Sequence, residues 1–560
     1  MSLQARCISA LECHNDSAQS GHNQLPQRAK LRLPATQGQS PSPACHPCIF
    51  VWRPLTITSS QSSPATLRLA QTGKPGYLLR SDASSRAGPR QGESHVNINV
   101  NAVRQGSFTS VSPLYAELLK SDTRTPHPAF AATGEFRVEL DPVPRTRYTD
   151  PAFAKLEMDK LWLKTWQVVG REEDIPAVGD RIVYNVGTKS FIIVRSDETT
   201  FKAFYNSCLH RGTQLCTGHG AGPTIKCPFH GWTWNVDGSV NNLPGRWDFH
   251  GATDEVLHLP EAKCDTWGGN IFINPDPDAL PLVRALGVLT EHFKDYDFAN
   301  RWTAVHVRKK VRGNWKLSAE AFLEGWHLSE THNQAQSWNG DSSTQYDIWE
   351  DEHSQISRSI TPSAVPSPEL GEDASTRAAV ENLIRAVTPP GMPLPDFDAV
   401  ETLDRAYGAE YRRNLLTAMT GRDFSAASDT EMLDAVQYYM FPNFFPWLGE
   451  GASLWYQFMP YGDQPGESIM EVRFLLPMPA GGQKPPKSPV VELDFDESYR
   501  ERQAGFGLFD EVFDQDMTNV PMIQKGCESG SPTSKFVHFG TYQECRLRAL
   551  HARLTRVLDA

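Results

Sequence analysis

Cysteine is scarce: the chain has ten in 560 residues. They form no regular framework, which argues against a disulfide-stapled secreted fold and for a reduced, cytoplasmic setting, where paired Cys and His read as metal ligands. No run of about 18 apolar residues occurs, so no membrane-spanning helix is expected. No signal peptide with a basic start and an apolar core opens the chain. Positive charge is also short, with 54 Lys and Arg against 66 Asp and Glu, a formal charge of −12. That balance argues against nucleic acid as the main partner. The one basic run, RKKVR at Arg308–Arg312, reads as a solvated strand face or, more sharply, as a docking patch for an acidic protein. No nicotinamide or flavin motif is present. GHGAGP, at 218–223, resembles a phosphate loop only by its glycine count and lacks the strand-to-helix setting such a loop needs.

The length predicts two or more domains. Residues 1–135 are rich in Ser, Pro, Gln and Gly, with few acidic residues and no sustained period. They are expected to be a disordered extension, unable to bury enough apolar surface to offset chain entropy. An organelle transit peptide or an over-extended gene start would share this composition. CHPC at Cys45–Cys48 has a metal-like spacing but no second pair nearby. Residues 136–164 predict a helix leading into the core, with Asp150 as its N-cap, Pro151 in its first turn and Phe153, Leu156, Leu161 and Trp162 on its apolar face. From 165 to 285 short β-rich runs such as RIVYNV and SFIIVR alternate with turn residues, as in a small all-β domain. Residues 286–560 are mixed, with strands at RWTAVHVRKKV, LWYQFMPYG and SIMEVRFLLPMP. Helices are expected from Tyr499 to about Gln524 and at the C-terminus, and an acidic, Pro-punctuated insertion or lid at about 335–430. The fold class is α+β, a small all-β domain followed by a larger α+β domain with an antiparallel sheet.

Chemistry concentrates in NSCLHRGTQLCTGHGAGPTIKCPFHGWTW, residues 206–234. Cys208 and His210 form a Cys-x-His pair, Cys227 and His230 a Cys-x2-His pair, and sixteen residues separate the pairs. Thiolate and imidazole suit zinc or an iron–sulfur cluster, so residue types alone leave both open. Gly212 and Gly231 follow the pairs where the backbone must turn tightly. Cys216 and His219 lie between them and read as loop residues. CLHRG followed by CPFHGW resembles the Rieske [2Fe–2S] signature. The resemblance implies Cys208 and Cys227 on one iron and His210 and His230 on the other, with a potential above that of all-Cys ferredoxins.

A second constellation follows in NWKLSAEAFLEGWHLSETHNQ. On an unbroken helix His327 and His332 would stand about 140° apart, so the helix is expected to end or distort between them. Asn314–Lys316 (NWK), an acidic residue three before the first His and a second His five after it resemble the catalytic domain of Rieske non-haem iron oxygenases, the family of aromatic-ring-hydroxylating dioxygenase large (α) subunits. That resemblance implies a helix-grip-like catalytic domain and a mononuclear Fe(II) held by His327, His332 and a distant carboxylate. Asp516 in QDMTNVPMIQKG matches the family position best, and Asp514 is the second choice, with Asp510 nearby. Glu324 stands where the family carries an Asp that bridges a Rieske histidine of one subunit to an iron ligand of the next. It would join His230 to His327 across a homotrimer. The Glu form resembles the branch acting on choline, carnitine and betaine-like quaternary amines.

The function so implied uses O2 to hydroxylate a small organic substrate, with NAD(P)H entering only indirectly through a ferredoxin and/or reductase and with a small β subunit as a further possible partner. Phe322, Trp326, Phe444, Phe445 and Trp447, most of which core packing alone would explain, fit an aromatic or polycyclic substrate as well as an aromatic cage for a quaternary ammonium. The lack of a carboxylate-plus-cage pattern favours the aromatic substrate. The rivals from other classes are a non-catalytic Rieske electron carrier and a structural zinc-binding interaction protein. Neither nucleic acid nor membrane is expected as a partner.

Overall fold

The computed structural model describes residues 108–109, 112–136, 141–389 and 391–560. Most of the expected N-terminal extension, Cys45–Cys48 included, lies outside them. Within them the fold starts earlier than the composition predicts. Helices Pro113–Ser121 and Pro128–Ala131 pack Tyr115 and Phe130 into the core. Ser112 accepts from the Tyr115 N–H at the first helix start, with Pro113 next to it, and donates to the Ser343 carbonyl at 2.6 Å. This Ser-Pro pair is a helix-start signal that a Ser- and Pro-rich average hides.

Asp150 caps helix Pro151–Glu157 through the Ala152 N–H, as expected, and the helix continues as a π-turn over Met158–Trp162. The expected apolar face holds for Leu161 and Trp162, which are buried, but Leu156 is exposed. The π-turn changes the angular step, so a regular 3.6-residue face does not carry through it.

Six antiparallel strands form the first sheet, in the order Gln167–Arg171, Asn270–Asn274, Glu261–Trp267, Phe201–Tyr205, Lys189–Arg195 and Arg181–Val186. A three-stranded sheet, Val240–Asn242, Thr233–Asn235 and Thr224–Lys226, packs beside it and carries the CPFHGW turn between its last two members. The larger domain is built on an eight-stranded sheet in which Arg301–Val311 pairs with Ser468–Pro477 along nearly its full length. Its strands are antiparallel except for Val491–Leu493, which runs parallel to Arg301–Val311. Helices Trp315–Glu320 and Leu508–Glu528 lie on one face, where Phe322, Phe445, Tyr456, Phe458 and Phe513 form the core. Phe444, Trp455 and Tyr438 pack on the opposite face.

The expected lid is narrower than 335–430. Gln345–Glu350 and Gln355–Thr361 are strands of the main sheet. They look like surface because they bury polar residues: Arg358 pairs with Asp347 at 2.6 Å, and Arg546 binds Ser357 and Ser359. The inserted part is a helical unit of Thr376–Val387, Arg405–Thr420 and Asp429–Leu433 with an apolar cluster of its own. The helix expected from Tyr499 starts instead at Leu508, because Gly505 and Gly507 hold positive φ just before it. The basic run is a partly solvated, ion-paired strand face and not a free docking patch: Arg308 meets Glu471, Lys310 meets Asp494 and Arg312 meets Asp496.

A buried ion network joins the two domains. Arg473 of the main sheet donates both Nη atoms to Asp174, at 3.0 and 2.9 Å, beside the first strand of the smaller domain. Burial would raise the Asp174 carboxyl, but Arg473, His306 and Lys487 outweigh it and hold the group below its ordinary value. A carboxyl whose pKa is depressed by folding contributes stability above its unfolded pKa, and this contribution is lost as pH falls through the folded value. Arg473→Ala is therefore expected to lower unfolding free energy by about 3–5 kcal/mol at neutral pH, because it leaves Asp174 buried with a weaker partner set. The loss should shrink below about pH 4, where the carboxyl starts to protonate in the unfolded chain; urea unfolding at both pH values checks it.

Candidate metal centres

The two loops of the smaller domain are near-copies. The Cys208 N–H donates to the Thr213 carbonyl and the Cys227 N–H to the Trp232 carbonyl, each at 2.8 Å. Four residues after each Cys, Gly212 and Gly231 donate back to the Cys carbonyl, and both have φ of 76°. A side chain at either glycine would be strained in that left-handed conformation. The turns bury Cys208 and Cys227, whose thiols lie within hydrogen-bonding reach of each other. His210 and His230 stand together at the outer end, Nδ1 to Nδ1 at 3.1 Å. Sulfur at one end and nitrogen at the other is the donor arrangement a Rieske cluster needs.

Burial pushes the Cys208 thiol up, with amide N–H groups of His210 and Arg211 opposing it. For Cys227 burial is outweighed by the Phe229 and His230 N–H groups, which lower its pKa and favour the thiolate. Trp232 stacks on His210 at 4.9 Å between ring centroids, and Phe249 meets it edge-on. His230 is exposed, and beside it Phe229 is 57% exposed. Cys216 and His219 join neither pair; the Cys216 backbone instead binds Asn206.

In the larger domain NWK anchors the second centre. Asn314 caps helix Trp315–Glu320 by accepting from the Lys316 N–H and donates to the Pro465 carbonyl at 2.7 Å. Trp315 and Lys316 are buried against Glu157, with Lys316 Nζ at 2.7 Å. Gly313 is needed for close approach, since a Cβ there would stand 2.4 Å from Val520 Cγ1 on the facing long helix. The short helix ends at Glu320, and a single turn, Leu328–Thr331, lies between His327 and His332, with His332 already non-helical at φ −117°, ψ 46°. The break turns the two imidazoles toward each other.

Their Nε2 atoms are 3.2 Å apart, and Asp516 Oδ1 lies 3.4 Å from His327 Nε2 and 3.1 Å from His332 Nε2. Among the described residues this trio alone brings three such donor atoms within 4.8 Å of one another. The outer nitrogens are committed elsewhere: His332 Nδ1 to Gln515 Oε1 at 2.7 Å and His327 Nδ1 to Glu324 Oε1. Since these oxygens only accept, each Nδ1 carries the proton and each Nε2 lone pair faces inward. Two lone pairs and a carboxylate converging in a buried place fit a divalent cation with positions left open, and the His–acceptor pairs are the supports such ligands use. Burial would lower the His327 pKa, but Glu324 and Asp516 outweigh it and push it up to about 10. The local field therefore favours positive charge at this point.

Asp514 and Asp510 are turned away. Asp514 accepts from Ser498 Oγ and the Tyr499 and Arg500 N–H groups, and Asp510 accepts from the Phe506 N–H. Asp514 and Asp516 are two residues apart on one helix, about 200° around its axis, so only one can face the histidines. Of the aromatics singled out from sequence, Phe322, Phe445 and Trp447 lie on the metal-side face of the sheet, Phe444 on the other, and Trp326 is 51% exposed. Gln515 was missed; its signal is only its place between Asp514 and Asp516. Glu324 is mostly buried, and Oε2 accepts from the His327 N–H at 3.1 Å.

Comparison with known families agrees with this two-part plan. The family described as Rieske [2Fe-2S] domain matches residues 165–253, and the ring hydroxylating alpha subunit catalytic domain matches 293–560. The chain thus carries a Rieske [2Fe-2S] domain followed by a ring-hydroxylating alpha subunit catalytic domain.

Relatives include the chloroplastic choline monooxygenase of Beta vulgaris, 28% identical over 42% of this chain and 55% of that protein. The glycine betaine monooxygenase oxygenase subunit of Chromohalobacter salexigens is 31% identical over 34% and 43%. The biphenyl 2,3-dioxygenase alpha subunit of Rhodococcus jostii is 30% identical over 33% and 41%. The chain thus spans about half the length of the curated relatives it matches. A solved quaternary ammonium Rieske monooxygenase, CntA, superposes with a TM-score of 0.52 at 16% identity, over 74% of this chain and 95% of that one, a likeness of fold.

Proposed function

We propose that the protein is the terminal component of a Rieske oxygenase, hydroxylating a small aromatic or polycyclic compound with O2 and externally supplied electrons. The observation that carries this reading is the convergence of His327, His332 and Asp516, with inward lone pairs, in the same chain as a Rieske-type loop pair. Bound there, a [2Fe–2S] cluster would supply electrons singly and a ferrous ion would supply the place where dioxygen is reduced. Cys208, Cys227, His210 and His230 would hold the cluster, and His327, His332 and Asp516 the ion. Gln515 and Glu324 orient the two imidazoles. Phe322 and Tyr456 pack on Phe513 of the helix that carries Asp516, and an apolar neighbourhood of this kind would suit a flat hydrocarbon.

His230 is exposed and Glu324 backs His327, so Glu324 would join His230 of one copy to His327 of the next in a homotrimer. Electrons would enter from a ferredoxin or reductase. Among the described residues no helix is long and apolar enough to cross a membrane.

A second substrate reading, a quaternary amine, is favoured by Glu324 in place of Asp and by relatives named for choline and glycine betaine. Oxygen uptake matched to product, measured with a surrogate reductase over a panel of aromatic hydrocarbons, choline, carnitine and betaine, tests both. Product from an aromatic member alone supports the first reading, and product from an amine alone replaces it with the second. If iron analysis after anaerobic Fe(II) loading finds two irons per chain and no third, the protein is an electron carrier and the oxygenase reading fails.

A further inference from the structure

A cavity of about 200 Å³ opens beside the metal trio; His327 and Asp516 line it together with Glu324, Glu320 and Tyr148. Glu320, the last residue of the NWK helix, is not accounted for by ligation or bridging. It is buried, and its ion-pair partner is the imidazole of His551, Nε2 to Oε1 at 2.8 Å. That imidazole is not a cation. Arg147 Nη1, which can only donate, stands 3.2 Å from His551 Nδ1, so Nδ1 accepts and the ring proton is on Nε2. Burial, with Arg147 and Lys316 nearby, keeps His551 far below its ordinary pKa.

The remaining groups around Glu320 come from every packed element. Lys316 on its own helix is paired with Glu157. Tyr148 donates to Oε1 at 3.1 Å and lies 3.3 Å from Oε2. Cys527 is on the long helix, and Glu324 and Glu544 line the same cavity. A buried carboxyl facing a neutral imidazole, a phenol, a thiol and other carboxyls is held in its acid form. Burial outweighs Tyr148, Lys316 and Arg147 and raises its pKa to about 8. With His551 and Tyr148 both donating to Oε1, the proton belongs on Oε2.

We propose that Glu320 is a proton-delivering residue for the His327–His332–Asp516 site, acting through the cavity that they share. The proposal rests on the oxygenase reading. Each monohydroxylation consumes one O2, two electrons from the external donor and two protons. One O–O bond and one substrate C–H bond break, and a C–O bond forms. The products are the alcohol and one water. Glu320 Oε2–H supplies a proton to oxygen being reduced, and the carboxylate takes a replacement from solvent at the cavity mouth. The cavity has room for a short chain of waters to carry it. Glu320 does not touch the metal trio, so its role is that of a positioned acid acting at one remove.

Infrared spectra and single-turnover product yield of the iron-loaded full chain, from about pH 6 to about pH 10, test this. The wild type should show a neutral-carboxylic-acid C=O band that titrates near pH 8, and product formation should fall along the same limb. In Glu320→Gln the band should vanish, the alkaline limb should disappear, and product formation at neutral pH should drop about 10²-fold, with iron content and the Rieske spectrum unchanged. Tyr148→Phe loses one donor to the carboxylate, so band midpoint and limb should move together to higher pH. A band unaltered in Glu320→Gln, or product formation within about twofold of wild type with the same limb, overturns the proposal. A limb in Tyr148→Phe that does not follow the band also overturns it. If the wild type forms no product from any substrate, the oxygenase reading falls; a productive wild type with an unaffected Glu320→Gln variant removes this proposal alone.

Discussion

Asp516→Ala is expected to lower product formation by about 10³-fold or more while leaving the Rieske absorption and electron-paramagnetic spectra as they are; a single lost electrostatic donor typically costs about 10²–10³-fold. The expectation follows from what Asp516 contributes. It is the negative member of the trio, 3% exposed, with Oδ1 within 3.4 Å of both Nε2 atoms. Burial would raise its pKa, but the neighbouring His327 and His332 outweigh this and keep it ionised. Without it two neutral imidazoles must hold a divalent ion, and the charge that offsets the ion's desolvation is gone. The smaller domain shares no ligand with this site, so its cluster should assemble normally. Asp514→Ala is the matched control: it removes a cap on Ser498–Arg500 and should cost stability, with turnover per folded molecule retained. Full turnover in Asp516→Ala would refute the ligand assignment, and iron content separates loss of metal from loss of fold.

Glu324→Gln should slow electron transfer between the two centres about 10–100-fold, the range typical for losing a partner of a metal-bound histidine, with both centres loaded. Glu324 accepts the His327 Nδ1–H, and in the proposed trimer the same side chain would meet His230 of the next copy. Glutamine keeps the shape and hydrogen-bonding capacity but not the charge, so the ligand becomes less basic and the contact between copies weaker. Rapid mixing of the reduced protein with O2 and substrate, following cluster oxidation, gives the rate directly. An unchanged rate with iron at wild-type level would sink the bridge. Mixing Glu324→Gln with a His230→Ala variant adds a second check. A mixed trimer holds some interfaces that pair an intact Glu324 with an intact His230, and these should regain the wild-type rate.

The sequence by itself determined what depends on short-range chemistry. The loops at Cys208–Gly212 and Cys227–Gly231 are legible because five consecutive residues supply a ligand pair and the glycine that lets the turn close. The NWK motif is legible through its resemblance to the family, while its role as a helix cap, with Asn314 accepting from the Lys316 N–H, is seen only in the structure. The helix break between His327 and His332 follows from the 3.6-residue period, which forbids them a common ion on one continuous helix.

Tertiary packing alone decided the rest. Asp516 rather than Asp514 faces the histidines because Gly505 and Gly507 set where the long helix starts and Gly313 lets it come close. Nothing local separates two aspartates two residues apart. The strands at Gln345–Glu350 and Gln355–Thr361 lie in the acidic, Pro-punctuated stretch expected to be an insertion or lid, and they carry the polar Asp347, Ser357, Arg358 and Ser359. They are buried because Arg358 and Arg546 satisfy them from elsewhere in the fold. Nothing in the local sequence marks Glu320. Its neighbours, Tyr148 and His551, stand 172 and 231 residues away in sequence. Their contact withdraws the carboxyl from water without giving it a cation, and only that long-range meeting lets it keep a proton at neutral pH.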